Sequence, residues 1–440
     1  MKNFSASSAP NGQQRVYGTL PLKLSVPQTK AVETIRQVGT LSRTELADSI
    51  GYSRSQITSV VNGLIELGIL HEIGDGKSSG GRRPRVLSFN SAFGYVVGVD
   101  LGATSLDIAL ANFEGRIIDR QYAIIDVRDG PDVVLDIICK LVLEQIQRHQ
   151  ISLDKVCAFG IGVPGPVEFS TGLLIAPPIM PGWEAYPISD FIRKTFPSAL
   201  VIVDNDVNVM ALGELRAGAG SNDRNFLFIK VGTGIGCGIV CNSAIYRGAD
   251  GCAGDIGHIC VDQNGPTCHC GNIGCLEAMA AGPAIAARAI LAVRNQKSAI
   301  LARHLEAQQG ILTAEDVSMA GSQGDPVANE IIRESGRMIG EVLASLVNFF
   351  NPSLILIGGG VSRIGPQFLA SIRRGVLHRS LALSTRYLRI DTSPMGSDAG
   401  IVGAIMLALD HIFTFEGQEL PPFLKSSVGQ STHPWKTSSG

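Results

Sequence analysis

The sequence predicts an α/β chain in two parts, a small helix-led head and a larger body of strands alternating with helices. Three observations carry that expectation: two serine capping boxes in quick succession, an apolar strand–glycine turn–strand unit that occurs twice, and a length of 440 residues, more than one hydrophobic core usually organises. Lysine and arginine number 37 against 39 acidic residues, a formal net charge of -2, so any polyanion must be met by a local basic patch.

Residues 1–28 contain no continuous apolar stretch and no cleavage pattern, and read as a disordered arm rather than a secretory signal. The head is expected over residues 29–90. Within it, "LSRTELADSIGYSRSQITSVVNGLIELG" pairs Ser42 with Glu45 and Ser53 with Gln56, each able to satisfy the amides that open a helix. Gly51 and Gly68 are the expected stops, so a short turn joins two helices as in a helix-turn-helix. Ile57, Val60, Val61, Leu64 and Ile65 share one face of the second helix, which turns Arg54, Ser55, Gln56, Thr58, Ser59 and Asn62 outward.

"ILHEIGDGKSSGGRRPRVLSFN" then reads as a strand, a Gly/Ser-rich tip and a second strand. The tip carries Lys77, Arg82, Arg83 and Arg85, with no acid between Gly76 and Ser88. This is the local basic patch. Two helices and a basic hairpin make a winged helix-turn-helix, for which Arg54, Ser55, Gln56, Thr58 and Ser59 are the expected major-groove residues and Arg82, Arg83 and Arg85 the expected contacts to phosphates or the minor groove of duplex DNA. The other reading is a winged helix used for protein contacts, with a merely solvated wing.

The body is expected over residues 91–423, followed by a flexible tail over 424–440. "YVVGVDLGATSLDIALANFEGRIIDRQYAII" reads as three consecutive strands with a hairpin at Glu114-Gly115, and a similar unit returns at "FLFIKVGTGIGCGIVCNSAIYRG". Helices are expected over 132–149 and 329–350, and buried strands over 156–163 and 354–357. The longest uncharged run, Val342 to Val361, is broken by Asn351, Pro352 and three glycines, which suits a buried helix and strand better than a membrane span. A duplicated core with a glycine turn in each half implies two lobes facing a cleft. The chain reads as cytosolic.

In the turns Asp100-Leu-Gly102-Ala-Thr104 and Gly232-Thr233-Gly234, glycines let backbone amides approach phosphate oxygens and the threonines add donors; "IGGGV" at Gly359 offers a third close approach to a nucleotide. "VIVDNDVNVMALGE" sets Asp204, Asn205 and Asp206 between a buried strand and a helix. Such residues usually cap the helix, but Asp206 is also placed to take a proton from a hydroxyl, with Asn205 on the neighbouring one.

"DIGHICVDQNGPTCHCGNIGCLE" offers His258, Cys268, Cys270 and Cys275 as one nitrogen and three sulfurs, with Gly271 and Gly274 allowing tight turns. Cys-X-Cys is too strained for an obvious disulfide, nine cysteines in a reducing compartment do not make a disulfide framework, and a redox pair would require Cys-X-X-Cys. A closed, structural zinc site fits best. Cys260, in the apolar "HICV" run that reads as a buried strand, and His269 are further candidates; a set of buried free thiols is the alternative. The cage would hold Asp255 and Glu277 in place as acceptors for a polyol.

On these residues the chain resembles the ROK family of bacterial sugar kinases and sugar-responsive repressors, from about Lys30 to Leu409. The Asp255-X-Gly-His258-X9-Cys268-X-Cys270-Gly-X2-Gly-Cys275-X-Glu277 pattern looks like that family's zinc signature, and "GIGVPGPVE", "DNDVNVMALGE", "VGTGIGCGI" and "GSDAGIVGA" match in order. The resemblance implies a two-lobed actin/hexokinase-like (ribonuclease H-like) body. It implies a sugar among Asn205, Asp206, Asp255, His258 and Glu277, with Asp206 the catalytic base of a kinase. It puts ATP phosphates and Mg near Asp100, Gly102, Thr104, Thr233 and Gly234. Asp255 stands where the family usually has Glu, and Ala103 and Ser105 where kinases often have Gly and Lys. The leading winged helix belongs to the repressor branch.

The expected function is therefore a sugar-responsive repressor, a homodimer or dimer of dimers on a palindromic operator, with no membrane partner. The alternatives are an ATP-dependent hexose kinase that keeps a DNA-binding head, and a regulator whose effector is a protein or a phosphosugar.

Overall fold

The computed structural model describes residues 22–75, 85–90 and 93–415. In the head, β1 (Leu22–Leu24) leads to α1 (Val26–Val38), β2 (Leu41–Ser42), α2 (Arg43–Ile50), α3 (Arg54–Glu66), β3 (Leu70–Asp75) and β4 (Arg85–Phe89). Each helix opens on a reciprocal serine box, Ser25 with Gln28, Ser42 with Glu45 and Ser53 with Gln56. Gly51 ends α2 at φ 73° and Gly68 turns the chain after α3 at φ 76°, left-handed positions where a side chain would be strained. Ile57, Val61 and Leu64 of α3 are buried with Ile35 of α1 and Leu46 of α2. The small antiparallel sheet runs β2-β4-β3. Glu72 on β3 takes Arg43 and Arg85 at 2.9 Å each, which ties the start of α2 to the sheet. Three helices and a three-stranded sheet thus follow one another in the order expected of the head; Lys77, Arg82 and Arg83 lie outside the described residues.

Among the described residues, elements begin at Leu22, inside the stretch expected as an arm. Leu22–Leu24 pair in parallel with Phe413–Phe415 at the other end of the chain, and Ser25 already caps α1. Leu24 is buried, so this short strand gains both a ladder and an apolar seat that the arm's composition did not signal. Residues 1–21 and the tail lie outside the described residues.

The first lobe contains β5 (Tyr95–Leu101), β6 (Ser105–Asn112), β7 (Ile117–Ile124), α4 (Pro131–Arg148), β8 (Val156–Val163), the short β9 (Val167–Glu168) and β10 (Leu173–Leu174), α5 (Ile188–Thr195), β11 (Leu200–Asn205) and α6 (Asp206–Ala217). The second contains β12 (Phe226–Val231), β13 (Ile235–Cys241), β14 (Ala244–Tyr246), α7 (Leu276–Ala280), α8 (Gly282–Arg294), α9 (Ala299–Ala307), α10 (Ala314–Ser322), α11 (Pro326–Phe350), β15 (Leu354–Gly358), α12 (Pro366–Arg379), α13 (Ala382–Thr385) and β16 (Arg389–Thr392). Then α14 (Asp398–Ile412) returns to the first lobe and β17 (Phe413–Phe415) meets β1.

The two sheets repeat one topology. Their orders are β11-β8-β5-β6-β7 and β14-β13-β12-β15-β16, so in each the first strand is central, hairpin neighbours lie antiparallel on one side and two later strands parallel on the other. The run from Val342 to Val361 forms the end of α11 and buried β15, with Asn351 closing the helix at φ 52°. No helix among the described residues is long and apolar enough to cross a membrane.

Helices α6 and α14 cross in close contact. A side chain at Gly403 would place its Cβ 1.8 Å from the Val209 carbonyl oxygen, and one at Gly213 2.3 Å from that of Ala399, so only glycine permits this approach. The crossing locks α6, which starts at the cleft, to α14, which ends beside the head.

Candidate functional site

A cavity of about 860 Å³ opens between the lobes. It is lined by Gly102, Thr104, Asn205 and Asp206 from the first lobe and by Thr233, Gly234, Asp255, His258 and Glu277 from the second. Asp100 and Gly359 do not line it. Gly359 is packed against β12, where a Cβ would lie 2.4 Å from the Val231 carbonyl oxygen; its neighbour Gly360 forms the cavity wall instead.

At the end of β11 three adjacent polar residues do three different things. Asp204 is buried and accepts two hydrogen bonds from Arg247, at 2.9 and 2.7 Å, and one from Asn208 at 3.1 Å; the Arg247 guanidinium lies 3.8 Å from the centre of the Phe169 ring. Asn205 caps α6 through Oδ1, and its Nδ2 donates to the Gly165 carbonyl at 3.0 Å. Its Oδ1 is thus committed to the helix start, while the second Nδ2 hydrogen is left for the expected bond to a ligand hydroxyl. Asp206 opens α6 and forms an ion pair with Lys230, a residue the sequence reading did not single out. A lone lysine inside the apolar strand "FLFIKV" was the available signal, because burying an ammonium requires a partner.

Asp100 lies beneath the first turn, its carboxyl against the start of α14, where a Cβ on Gly400 would come within 2.0 Å of it. Burial pushes this carboxyl up to about 7, with Lys230 acting in the opposite direction. Alongside, Arg120 grips Asp107 at 2.6 Å and reaches Asp398 of α14 at 2.8 Å, which fastens β7 and β6 to that helix.

In the cysteine loop, one donor atom each of His258, Cys268, Cys270 and Cys275 falls within 4.8 Å of the others. Cys268 Sγ is 3.6 Å from His258 Nδ1 and Cys270 Sγ is 3.7 Å from Cys275 Sγ. A tetrahedral zinc bound at about 2.3 Å to sulfur and about 2.0 Å to nitrogen spaces its ligands about 3.5–3.8 Å apart, so the donor set fits that ion. The loop needs its glycine: a Cβ at Gly274 would sit 1.5 Å from the Asp262 carbonyl oxygen. Cys260 is exposed and in a single bridge opposite Cys275, not in a buried strand, and neither it nor His269 joins the cluster. The apolar "HICV" run misled because Ile259 faces solvent in a loop.

The cluster touches the cleft. His258 presents Nδ1 to the sulfurs and Nε2 to Asp255, 3.8 Å away. Glu277 accepts from the Ile235 amide through Oε2 and lies beside Cys268 through Oε1.

On the head, Arg54, Ser55, Gln56, Thr58 and Ser59 are exposed along α3. Gln56 Oε1 is occupied by the Ser53 box, and Arg85 pairs with Glu72 while remaining largely exposed.

The ROK family model matches residues 96–411. The chain belongs to the ROK family. A ROK family transcriptional regulator of known structure, described as a homologue of the E. coli MLC protein, superposes with a TM-score of 0.75 at 27% identity, over 92% of this chain and 99% of its own. The xylose repressor of Caldicellulosiruptor bescii is 29% identical over 90% of this chain and 99% of its own length. The ROK family glucokinase from Streptomyces griseus, solved with glucose and AMPPNP, is 32% identical with a TM-score of 0.63; it is covered completely by 72% of this chain. The body therefore has the two-lobed hexokinase-like ROK fold. The head precedes the family match and has its counterpart in the regulators.

Proposed function

We propose that this chain is a sugar-responsive transcriptional repressor: the winged head binds operator DNA, and a carbohydrate in the cleft weakens that grip. The observation that carries the reading is coverage, since the two regulators match head and body together whereas the glucokinase stops at the body. The cleft has the size and polarity for a monosaccharide, with Asp206, Asp255 and Glu277 as acceptors for neighbouring hydroxyls and His258 Nε2 among them.

Zinc held by His258, Cys268, Cys270 and Cys275 supplies rigidity and no chemistry, because all four positions come from the protein. It would fix the loop that carries Asp255 and leads into Glu277. Cleft and head are joined mechanically. Asp206 lies at one end of α6; near the other, Arg216 donates to Asp410 of α14 at 2.8 Å, and Arg36 of α1 lies 3.9 Å from the same carboxylate. A carbohydrate that binds two lobe arrangements unequally shifts this frame and the head with it; equal affinity would shift nothing. Two heads on a palindromic site call for a homodimer, working in the cytoplasm on DNA.

Gel retardation of the promoter DNA by the full-length chain, with and without a panel of monosaccharides and their phosphates, tests the reading. Retardation at low salt that a sugar relieves is expected. No retardation, or retardation indifferent to every sugar, removes it.

A further inference from the structure

Phosphoryl transfer from ATP in a cleft of this kind needs a carboxylate free to accept the hydroxyl proton and a divalent cation beside the phosphates. Lys230 bears on both. It is the fifth residue of β12, directly opposite Gly236 on β13 and Gly358 on β15, so no side chain stands directly across from it on either strand. The stem passes Gly232 of the second glycine turn, its Cε 4.0 Å from where a Cβ on Gly232 would stand. Its ammonium then pairs with Asp206, whose side chain is only 5% exposed. Burial works against a charged amine there. Asp206, Asp100 and Glu277 nevertheless hold Lys230 above the ordinary lysine value, so carboxylates from both lobes act on one point.

We propose that the Lys230 ammonium is a resident cation at the meeting point of these carboxylates, and that it makes the cleft a carbohydrate receptor that neither recruits a divalent metal nor transfers phosphate. The inference rests on the carbohydrate-receptor reading given above. A metal ion entering beside Asp206 would meet a fixed positive charge rather than an open carboxylate pair. A carboxylate already neutralised by an ammonium is also a poor acceptor for a hydroxyl proton. The glycine turns, the cavity and Asp206 can therefore all be retained while the chemistry is lost. ATP and magnesium do not fit the residues present.

The test is calorimetric titration of Mn²⁺ into the full-length chain with stoichiometric zinc and AMPPNP, together with coupled ATP turnover on a hexose panel. The wild type is expected to take up no manganese in the cleft and to turn over no hexose. Lys230→Gln should bind one Mn²⁺ at least tenfold more tightly than wild type, Lys230→Arg should match wild type, and adding Asp206→Asn to Lys230→Gln should erase the gain. Manganese uptake by the wild type equal to that of Lys230→Gln, or hexose phosphorylation abolished by Asp206→Asn, overturns the proposal. If Lys230→Gln does not fold, the wild type alone decides: uptake or turnover overturns it, silence in both supports it. A sugar panel without any melting shift would instead count against the carbohydrate reading, leaving the manganese result to judge Lys230.

Discussion

The Glu277 carboxylate accepts a 3.0 Å hydrogen bond from the Ile235 amide, joining the helix after the cysteine loop to the strand after the second glycine turn. Its other oxygen lies 3.9 Å from Cys268 Sγ. One side chain thus connects the His/Cys cluster, the glycine turn and the cavity, and a ligand that moves it is felt by all three.

Glu277→Gln keeps the length of the side chain and an acceptor for Ile235 but removes the charge. A hydrogen bond to a charged group contributes about 1.5–3 kcal/mol, so carbohydrate affinity should fall by about 10- to 100-fold. Calorimetry reads the loss, and elemental analysis should give the same zinc content as wild type. Unchanged affinity would place the carbohydrate away from this carboxylate.

Cys270→Ser removes one of four ligands from a closed site. Wild type is expected to carry about one zinc per chain and the variant much less, because a closed tetrahedral site depends on every ligand. Sugar-induced melting shifts should vanish with the metal, since Asp255, His258 and Glu277 lose their common support. Zinc loss with sugar binding intact would mean that the loop holds its shape unaided.

How much of this was legible in the sequence depends on how local each signal is. The boxes at Ser42 and Ser53 lie within four residues and identify two helix starts; the same signature at Ser25 and Gln28 was there too, but its setting in an arm-like stretch hid it. The clustering of His258, Cys268, Cys270 and Cys275 was legible because chelation would impose short spacings on residue types with few other reasons to gather. The repeat was legible from its glycine turns, but the sheet order was not, since β8 and β15 pair with strands far away in sequence. The partners Lys230, Arg247 and Arg120 were missed for the same reason. Each is one charged residue whose meaning comes from an acid on another element.

Asp100 provides a pH test. Its carboxyl titrates near 7 in the folded chain against about 3.8 when exposed, so the native state binds the extra proton between those values. Stability from this group is therefore complete below the exposed value and is lost as pH rises through about 7. Asp100→Asn should melt higher than wild type at pH 8, with the difference shrinking as pH falls and disappearing near pH 4. A difference that grows towards acid would mean Asp100 is held ionised.

Arg36 is one joint between head and body, beside the β1–β17 ladder. It is largely buried, its Nη1 is 3.9 Å from Asp410 Oδ1, and its guanidinium lies 6.0 Å from the centre of the Phe413 ring. Arg216 holds the other Asp410 oxygen from the end of α6, so the carboxylate is shared between a helix that starts at Asp206 and a helix of the head. Among the described residues Arg36 Nε has no hydrogen-bond partner, so the guanidinium is held by the Asp410 contact and not by a full set of bonds. Arg36→Met keeps the apolar stem and removes the charge. If wild type loses about 5- to 150-fold in operator affinity on sugar binding, the usual span of allosteric coupling, the variant should bind operator as well without sugar and lose little of that affinity when sugar is added. Melting shifts should still report sugar binding, because the cleft is untouched. A full sugar response in the variant would show that the head is coupled through the β1–β17 ladder and the shared apolar core, without the Asp410 carboxylate.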